Sequence, residues 1–247
     1  MAVGGVVEEV TERIAFQIAS GRLKAGDGLP SIRKLAAEHG VTLSRIQQVI
    51  ERLTAAGFVE PRHGVGVIVR DIRLYGGVET WRYLFRFSGT LPDLTVENVR
   101  EILEHLHLFY QVSFRRLADS PAAVDPAPAR RALHQLELLA RTEPVRAADV
   151  HQGVLQILRT VHASLGGRIT LGLLNTMGAM LGEVPDVLEA LYADPAEHVW
   201  FWNEIVTSWE TRDPDRARAA LDVLDDWHGR ALQRLRDRLA AASARPS

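Results

Sequence analysis

The chain has 247 residues, 47% of them hydrophobic and 24% charged, a balance that argues against disorder and suffices for two ordinary cores. It holds no cysteine, which removes disulfide frameworks, thiolate metal sites and cysteine nucleophiles. Its net charge of −2 is uneven: residues 1–70 carry 9 basic against 7 acidic side chains and the remainder 20 against 24, the sign expected if the first part meets phosphate.

The opening residues, MAVGGVVEEV, lack a basic stretch followed by an apolar one, so no secretory leader is expected. Val7, Val10, Ile14 and Ile18 then recur at helical spacing, and Gly21 sits where a glycine stops a helix. A turn-rich stretch, GRLKAGDGLP, leads to Ser31, which can cap a short helix over Ile32 to His39 ending at Gly40. Thr42 can cap a third helix, with Ile46, Val49, Ile50 and Leu53 on one face. Two β-like runs, Phe58 to Glu60 and Val65 to Val69, are joined through His63 and Gly64, where glycine supplies the positive φ of a tight hairpin turn. Helix, helix, turn, helix, hairpin is the order of a winged helix-turn-helix. Past Asp71 strand signals vanish, and Gly76 to Gly89 reads as a linker helix with aromatic anchors at Trp81, Tyr83, Phe85 and Phe87. Amphipathic helices follow over 96–118, 129–141, 147–165, 169–181, 187–192, 195–211 and 213–241. The most apolar of them, 169–181, is too short and glycine-rich to span a bilayer. A proline-rich loop, DSPAAVDPAPA, lies between the first two, and the last residues, SARPS, are expected to fray. The predicted architecture is therefore mainly α. It comprises a winged helix with a small β-hairpin over 1–72, a linker helix over 73–90, an all-α antiparallel bundle over 91–241 and a tail over 242–247.

The run IASGRLKAGDGLPSIRKLAAEHGVTLSRIQQVIERLTAAGFVEPRHGVGVIV resembles the GntR-family winged helix, through G-x-L-x-x-G-x-x-LPS-x-R-x-LA, the GV before the third helix, L-x-x-x-GF after it and the G-x-G-x-x-V wing. The G-x-G could also suggest a dinucleotide fingerprint, but no helix follows it. The remainder is similar to the FCD effector-binding domain of the FadR subfamily, on GGVETWRYL, the wing HG and SLGGRITLGLLNTMGAML. The resemblance implies a bacterial, cytoplasmic transcription regulator that binds a palindromic double-stranded operator as a homodimer and answers to a small-molecule effector, away from membranes.

The recognition helix of such a fold enters the major groove, while flanking contacts fix register on phosphate. With Ile46, Val49, Ile50 and Leu53 turned inward, the outward face carries Ser44, Gln47, Gln48 and Glu51, with Arg45 at its edge. Gln pairs with adenine and Arg with guanine through two hydrogen bonds, which makes Arg45, Gln47 and Gln48 candidate base readers; a solvated helix face is the alternative. Family contacts carried over by position add Arg33, Thr42, His63 and Gly64. Arginines usual in FadR-like sequences are replaced here by Leu43 and Gln47, so the usual operator is not implied.

Most FCD domains bind a metal through four side chains, and alignment on SLGGRI puts those positions at Val154, Leu158, Trp202 and Leu224. None can ligate, which implies an apolar, metal-free site without a cofactor, the condition of FadR-type acyl-CoA-responsive regulators. Arg100 aligns with a cavity-facing arginine, to hold a ligand carboxylate or an internal acid. The expected effector is a fatty acyl-CoA or another apolar carboxylate, unless Trp202 fills the space. His151, His198 and His228, each one turn from an apolar replacement, could instead form a displaced metal site, and Glu101, Glu104, His105 and His107 could chelate or merely face solvent. No enzyme motif is present: no G-x-S-x-G elbow, H-E-x-x-H pair, Walker loop or glycine-rich turn opening a helix. A winged helix serving only as a protein-interaction module is the remaining alternative.

Overall fold

In the computed structural model residues 5–119 and 125–243 are described; parts of the expected proline-rich loop (120–124) and tail (244–247) lie outside the described residues. The chain divides into two units, residues 1–91 and 92–247.

In the first unit, α1 (Val6–Ala19) buries Val10, Ile14, Ala15 and Ile18 along one stripe. The Ser31 side chain accepts from Lys34 N at 3.3 Å to start α2 (Ile32–His39), and Gly40 at φ 63° ends it in the left-handed region. The Thr42 hydroxyl likewise accepts from Arg45 N at 3.4 Å, opening α3 (Leu43–Ala55). These caps satisfy N–H groups that a helix start leaves without partners. Strands β1 (Val59–Arg62) and β2 (Gly66–Val69) pair antiparallel, Val59 opposite Val69 and Arg62 opposite Gly66. The hairpin starts one residue later than the apolar pattern suggests, because Phe58 is fully buried and packs edge-on to Tyr83 at 5.8 Å. The glycine-rich stretch before α2 lies along the other edge of β2, where Leu29 N donates to Val67 O and Val69 N to Asp27 O, both at 2.8 Å.

The expected linker helix is two pieces, α4 (Ile72–Tyr75) and α5 (Val78–Arg86), both within the first unit. Thr80 is fully buried; its hydroxyl donates to the Ala56 carbonyl and accepts from Gly77 N at 3.1 Å. Gly57 holds φ 85°, and a Cβ there would meet Tyr75 O at 3.0 Å, so only glycine lets the chain leave α3 beneath α4. Glu8 draws α1, α3 and α5 together, pairing with Arg52 and with Arg86 at 2.7 Å, while Glu12 pairs with Arg86 at 2.8 Å.

Among the described residues the second unit is all helical: α6 (Pro92–Asp119), α7 (Ala127–Arg141), α8 (Ala147–Ser164), α9 (Arg168–Gly182), α10 (Pro185–Leu191), α11 (Pro195–Thr211), α12 (Pro214–Asp222) and α13 (Leu224–Ser243). The helix expected over 213–241 is broken at Val223. Ala217, Leu221, Leu224, Ala231 and Leu235 are buried on both sides of the break. The apolar stripe thus continues across it, and periodicity carries no sign of it. Helix α8 is the centre, with Val150, Val154, Ile157, Leu158 and Val161 all buried. Gly153 lets α7 approach closely, since a Cβ would lie 2.9 Å from Leu136 Cδ1. Arg130 ties α7 to α11 through Glu210, Asn203 and Thr207 at 2.5–2.9 Å. Among the described residues no helix is long and apolar enough to cross a membrane.

Candidate nucleic-acid interface

Helix α3 is sharply two-sided. Ile46, Val49 and Leu53 have no exposed surface and Ile50 is 8% exposed, which fixes the helix's rotation about its axis. Leu43, Ser44, Arg45, Gln47, Gln48 and Glu51 are consequently exposed, and the side-chain amides stand within one turn of each other, without a hydrogen-bond partner among the described residues. Thr42 is exposed but uses its hydroxyl as the cap. Arg33 is exposed on the first turn of α2, at the end where helix N–H groups favour an anion. In the wing, His63 and Gly64 (φ 74°) form the exposed tip between β1 and β2, closed by Val65 N donating to Arg62 O at 3.1 Å. The arrangement puts two side-chain amides and a guanidinium on one exposed helix face, a second cation on the helix before it and an exposed wing tip.

The second unit departs from several expectations. Val154, Leu158, Trp202 and Leu224 are buried at 1–5% exposure in one aromatic-rich core. Trp202 packs edge-on to Tyr110 at 5.7 Å and Phe201 at 5.3 Å. The space left between Val154, Trp202, Leu224 and Trp227 is about 70 Å³, and Leu158 does not line it. A pocket for a drug-sized ligand needs about 300–1,000 Å³, so the indole fills the place expected to take an acyl chain. Arg100 is also corrected: it is exposed on α6, between Glu97 at 3.9 Å and Glu104 at 3.6 Å on the same helix face, and lines neither this cavity nor the groove described next. The buried face of α6 is taken by Val96, Val99, Ile102 and Leu103, which leaves Arg100 at the surface.

The histidines have other uses. His151 is buried with both ring nitrogens engaged, Nδ1 with the Tyr192 hydroxyl at 2.8 Å and Nε2 with Gly178 O at 2.9 Å, so Nε2–H donates and Nδ1 accepts. His198 Nε2 donates to Leu191 O at 3.0 Å. Burial lowers the pKa of His151 and His198, and lowers that of His228 to about 4, with repulsion from His107 adding to it. His105 Nδ1 bonds its own helix at Glu101 O, and His107 pairs with Asp225 at 2.9 Å. Among the described residues no group of three His, Cys, Asp or Glu is placed to hold a metal.

Sequence reasoning missed one feature. Helices α6, α11 and α12 border an open groove of about 890 Å³ within the second unit, floored by Phe114, Ile205, Trp209 and Leu221. Its residues lie roughly a hundred positions apart in two stretches, so no local motif could have revealed it.

Residues 6–69 match the family described as bacterial regulatory proteins, gntR family. The HTH-type transcriptional regulator Mce2R of Mycobacterium tuberculosis is 37% identical over 148 residues, 60% of this chain and 55% of that protein. The fatty acid metabolism regulator protein of Pasteurella multocida is 27% identical over 132 residues, 53% of this chain and 52% of that one. The matched stretches thus span about half the length of these curated relatives. A solved structure described as "Lar controls the expression of the Listeria monocytogenes agr system and mediates virulence" aligns over 95% of this chain and 98% of that chain, with TM-score 0.54 and 12% identity, a likeness of fold alone.

Proposed function

We propose, from a winged helix that belongs to the gntR family of bacterial regulatory proteins, that this chain is a sequence-specific DNA-binding transcription regulator controlled by a small molecule. The observation that carries the reading is α3, whose buried Ile46, Val49, Ile50 and Leu53 leave Ser44, Arg45, Gln47 and Gln48 exposed. On DNA, Gln47 and Gln48 read adenine, Arg45 reads guanine, and exposed Leu43 meets a thymine methyl group. Arg33, Thr42, His63 and Gly64 hold the phosphate backbone and fix register. One such helix reads too few bases to find a site in a genome, so the chain acts as a homodimer on a palindrome, with half-sites related by the protein's twofold axis. The relatives named above are regulators rather than enzymes, which supports a binding role. The likeness to a fatty acid metabolism regulator supports an FCD-type second unit and an apolar carboxylate as effector.

The test is a gel shift on the DNA upstream of the chain's own gene, with sedimentation of the complex. A dimer that prefers this DNA over a scrambled duplex of equal length supports the reading. Equal binding to both duplexes refutes sequence-specific regulation, and a monomer bound tightly to one half-site refutes the dimer.

A further inference from the structure

We infer that the effector site lies in the groove between α6, α11 and α12, and that it takes an organic carboxylate with an apolar body. The inference deepens the regulator reading above and rests on it for the word effector. The core position has about 70 Å³ of free space and the groove about 890 Å³, and small-molecule sites occupy about 300–1,000 Å³. The lining fits one ligand chemistry. Phe114, Ile205, Trp209, Ala217 and Leu221 make an apolar floor, on which an alkyl or aromatic body removes its surface from water.

Cations stand at the rim. Arg115, Arg212 and Arg218 all line the groove, and Arg218 is already paired with Asp215. Arg115 and Arg212 are exposed and, among the described residues, have no ion pair. The acids at the rim are Asp222 and Asp225, and Asp225 is engaged by His107 at 2.9 Å. Asp222 and Asp225 balance Arg115 and Arg212 in number, so what the groove offers a carboxylate is the two guanidinium groups without an ion pair, which bind it through charge-assisted hydrogen bonds.

Two further observations point the same way. Trp209 is 6% exposed, and its indole Nε1 is buried with no hydrogen-bond partner. A buried donor left without an acceptor is destabilising, so a carboxylate oxygen that draws the indole N–H round to the groove is favoured. Arg212 is the one non-glycine at positive φ among the described residues, at 58° in the αL cap of α11. Glycine would cost less at that backbone conformation, and such outliers gather at ligand clamps. The strain holds a guanidinium at the mouth of the groove, where glycine would leave none.

The test is calorimetric titration of the full chain with decanoate, beside the gel shift already described. Wild-type protein should bind decanoate, the double variant Arg115→Ala/Arg212→Ala should bind at least about tenfold more weakly, and Arg131→Ala, an exposed arginine on α7, should bind as wild type. Trp209→Phe keeps an aromatic ring but not the N–H and should weaken binding; because the smaller ring also alters core packing, the titration is run below its separately measured thermal midpoint. No binding at millimolar decanoate, or equal binding by the double variant and wild type, overturns the groove as the site. Decanoate binding that needs both arginines but leaves operator affinity unchanged supports the site and refutes its role as effector site. The same binding in a protein that ignores every operator supports the groove and refutes the regulator reading alone.

Discussion

Acid should unfold the second unit more steeply than its carboxylates alone require, and His228 supplies the clearest case. Its side chain lines the small core cavity beside His198 and Trp227. Burial is the main cause of its lowered pKa, with His107 and His198 repelling a proton and Asp225 attracting one. The unfolded chain takes that proton near pH 6.5 and the folded chain only near pH 4. Between these values the unfolded state binds more protons, so stability falls as pH falls and levels off below the folded value. At 1.36 kcal/mol per pH unit, His228 alone accounts for about 3 kcal/mol across that window. His151, His162 and His198 are shifted in the same direction by burial and add to the slope. Urea unfolding followed by tryptophan fluorescence reads this unit well, because Trp200, Trp202, Trp209 and Trp227 all lie in it. His228→Leu should recover about 2–3 kcal/mol of the stability lost between about pH 7 and about pH 4.5. A variant that loses as much over this range as the wild type would refute the assignment of acid sensitivity to a buried neutral imidazole.

Two substitutions in the first unit separate roles. Arg33→Ala should weaken binding to every duplex and reduce the salt slope by about one, whereas Gln47→Ala should cost about 1–3 kcal/mol at a single base position; identical behaviour in salt and mismatch titrations would refute the division between phosphate and base contacts. Gly57→Ala should destabilise the first unit by about 1–3 kcal/mol in thermal unfolding, since a methyl there meets the Tyr75 carbonyl at 3.0 Å and the backbone holds φ 85°.

The winged helix was legible because its signals are local. Ser31, Gly40 and Thr42 bracket α2 and α3 by capping chemistry, and the apolar face of α3 is written at helical spacing. The second unit's helices were legible for the same reason, but their ends and their cavities were not. The break at Val223 leaves the buried stripe uninterrupted, and a cavity depends on how side chains from distant helices meet. Position alone put Val154, Trp202 and Leu224 together, as the core does; it could not tell that an indole, rather than a ligand, would occupy the space between them. Arg100 failed for a complementary reason. Carrying a residue over by alignment preserves its place on a helix but not its surroundings, and here Arg100 is exposed beside Glu97 and Glu104.

Whether Trp202 is the plug of a site or an ordinary core residue is decided by what its removal leaves behind. Trp202 is 1% exposed, touches Tyr110 and Phe201, and borders the existing cavity of about 70 Å³. Trp202→Ala should therefore cost about 3–5 kcal/mol in urea unfolding, the range for deleting a large buried aromatic. The new space joins the old one and is walled on one side by Val154, Leu224 and aromatic rings; an apolar hole of about 150 Å³ takes up a small aromatic from solution. Indole added to the variant should then raise its unfolding midpoint in proportion to the logarithm of its concentration, because it binds only the folded state. It should do nothing for the wild type, in which the side chain already holds that place. A loss below about 1 kcal/mol would mean that the core collapses freely around position 202. Equal stabilisation of both proteins by indole would place the binding elsewhere. Rescue confined to the variant would establish that the Trp202 side chain itself occupies the space between Val154 and Leu224, leaving no room there for a ligand in the wild type.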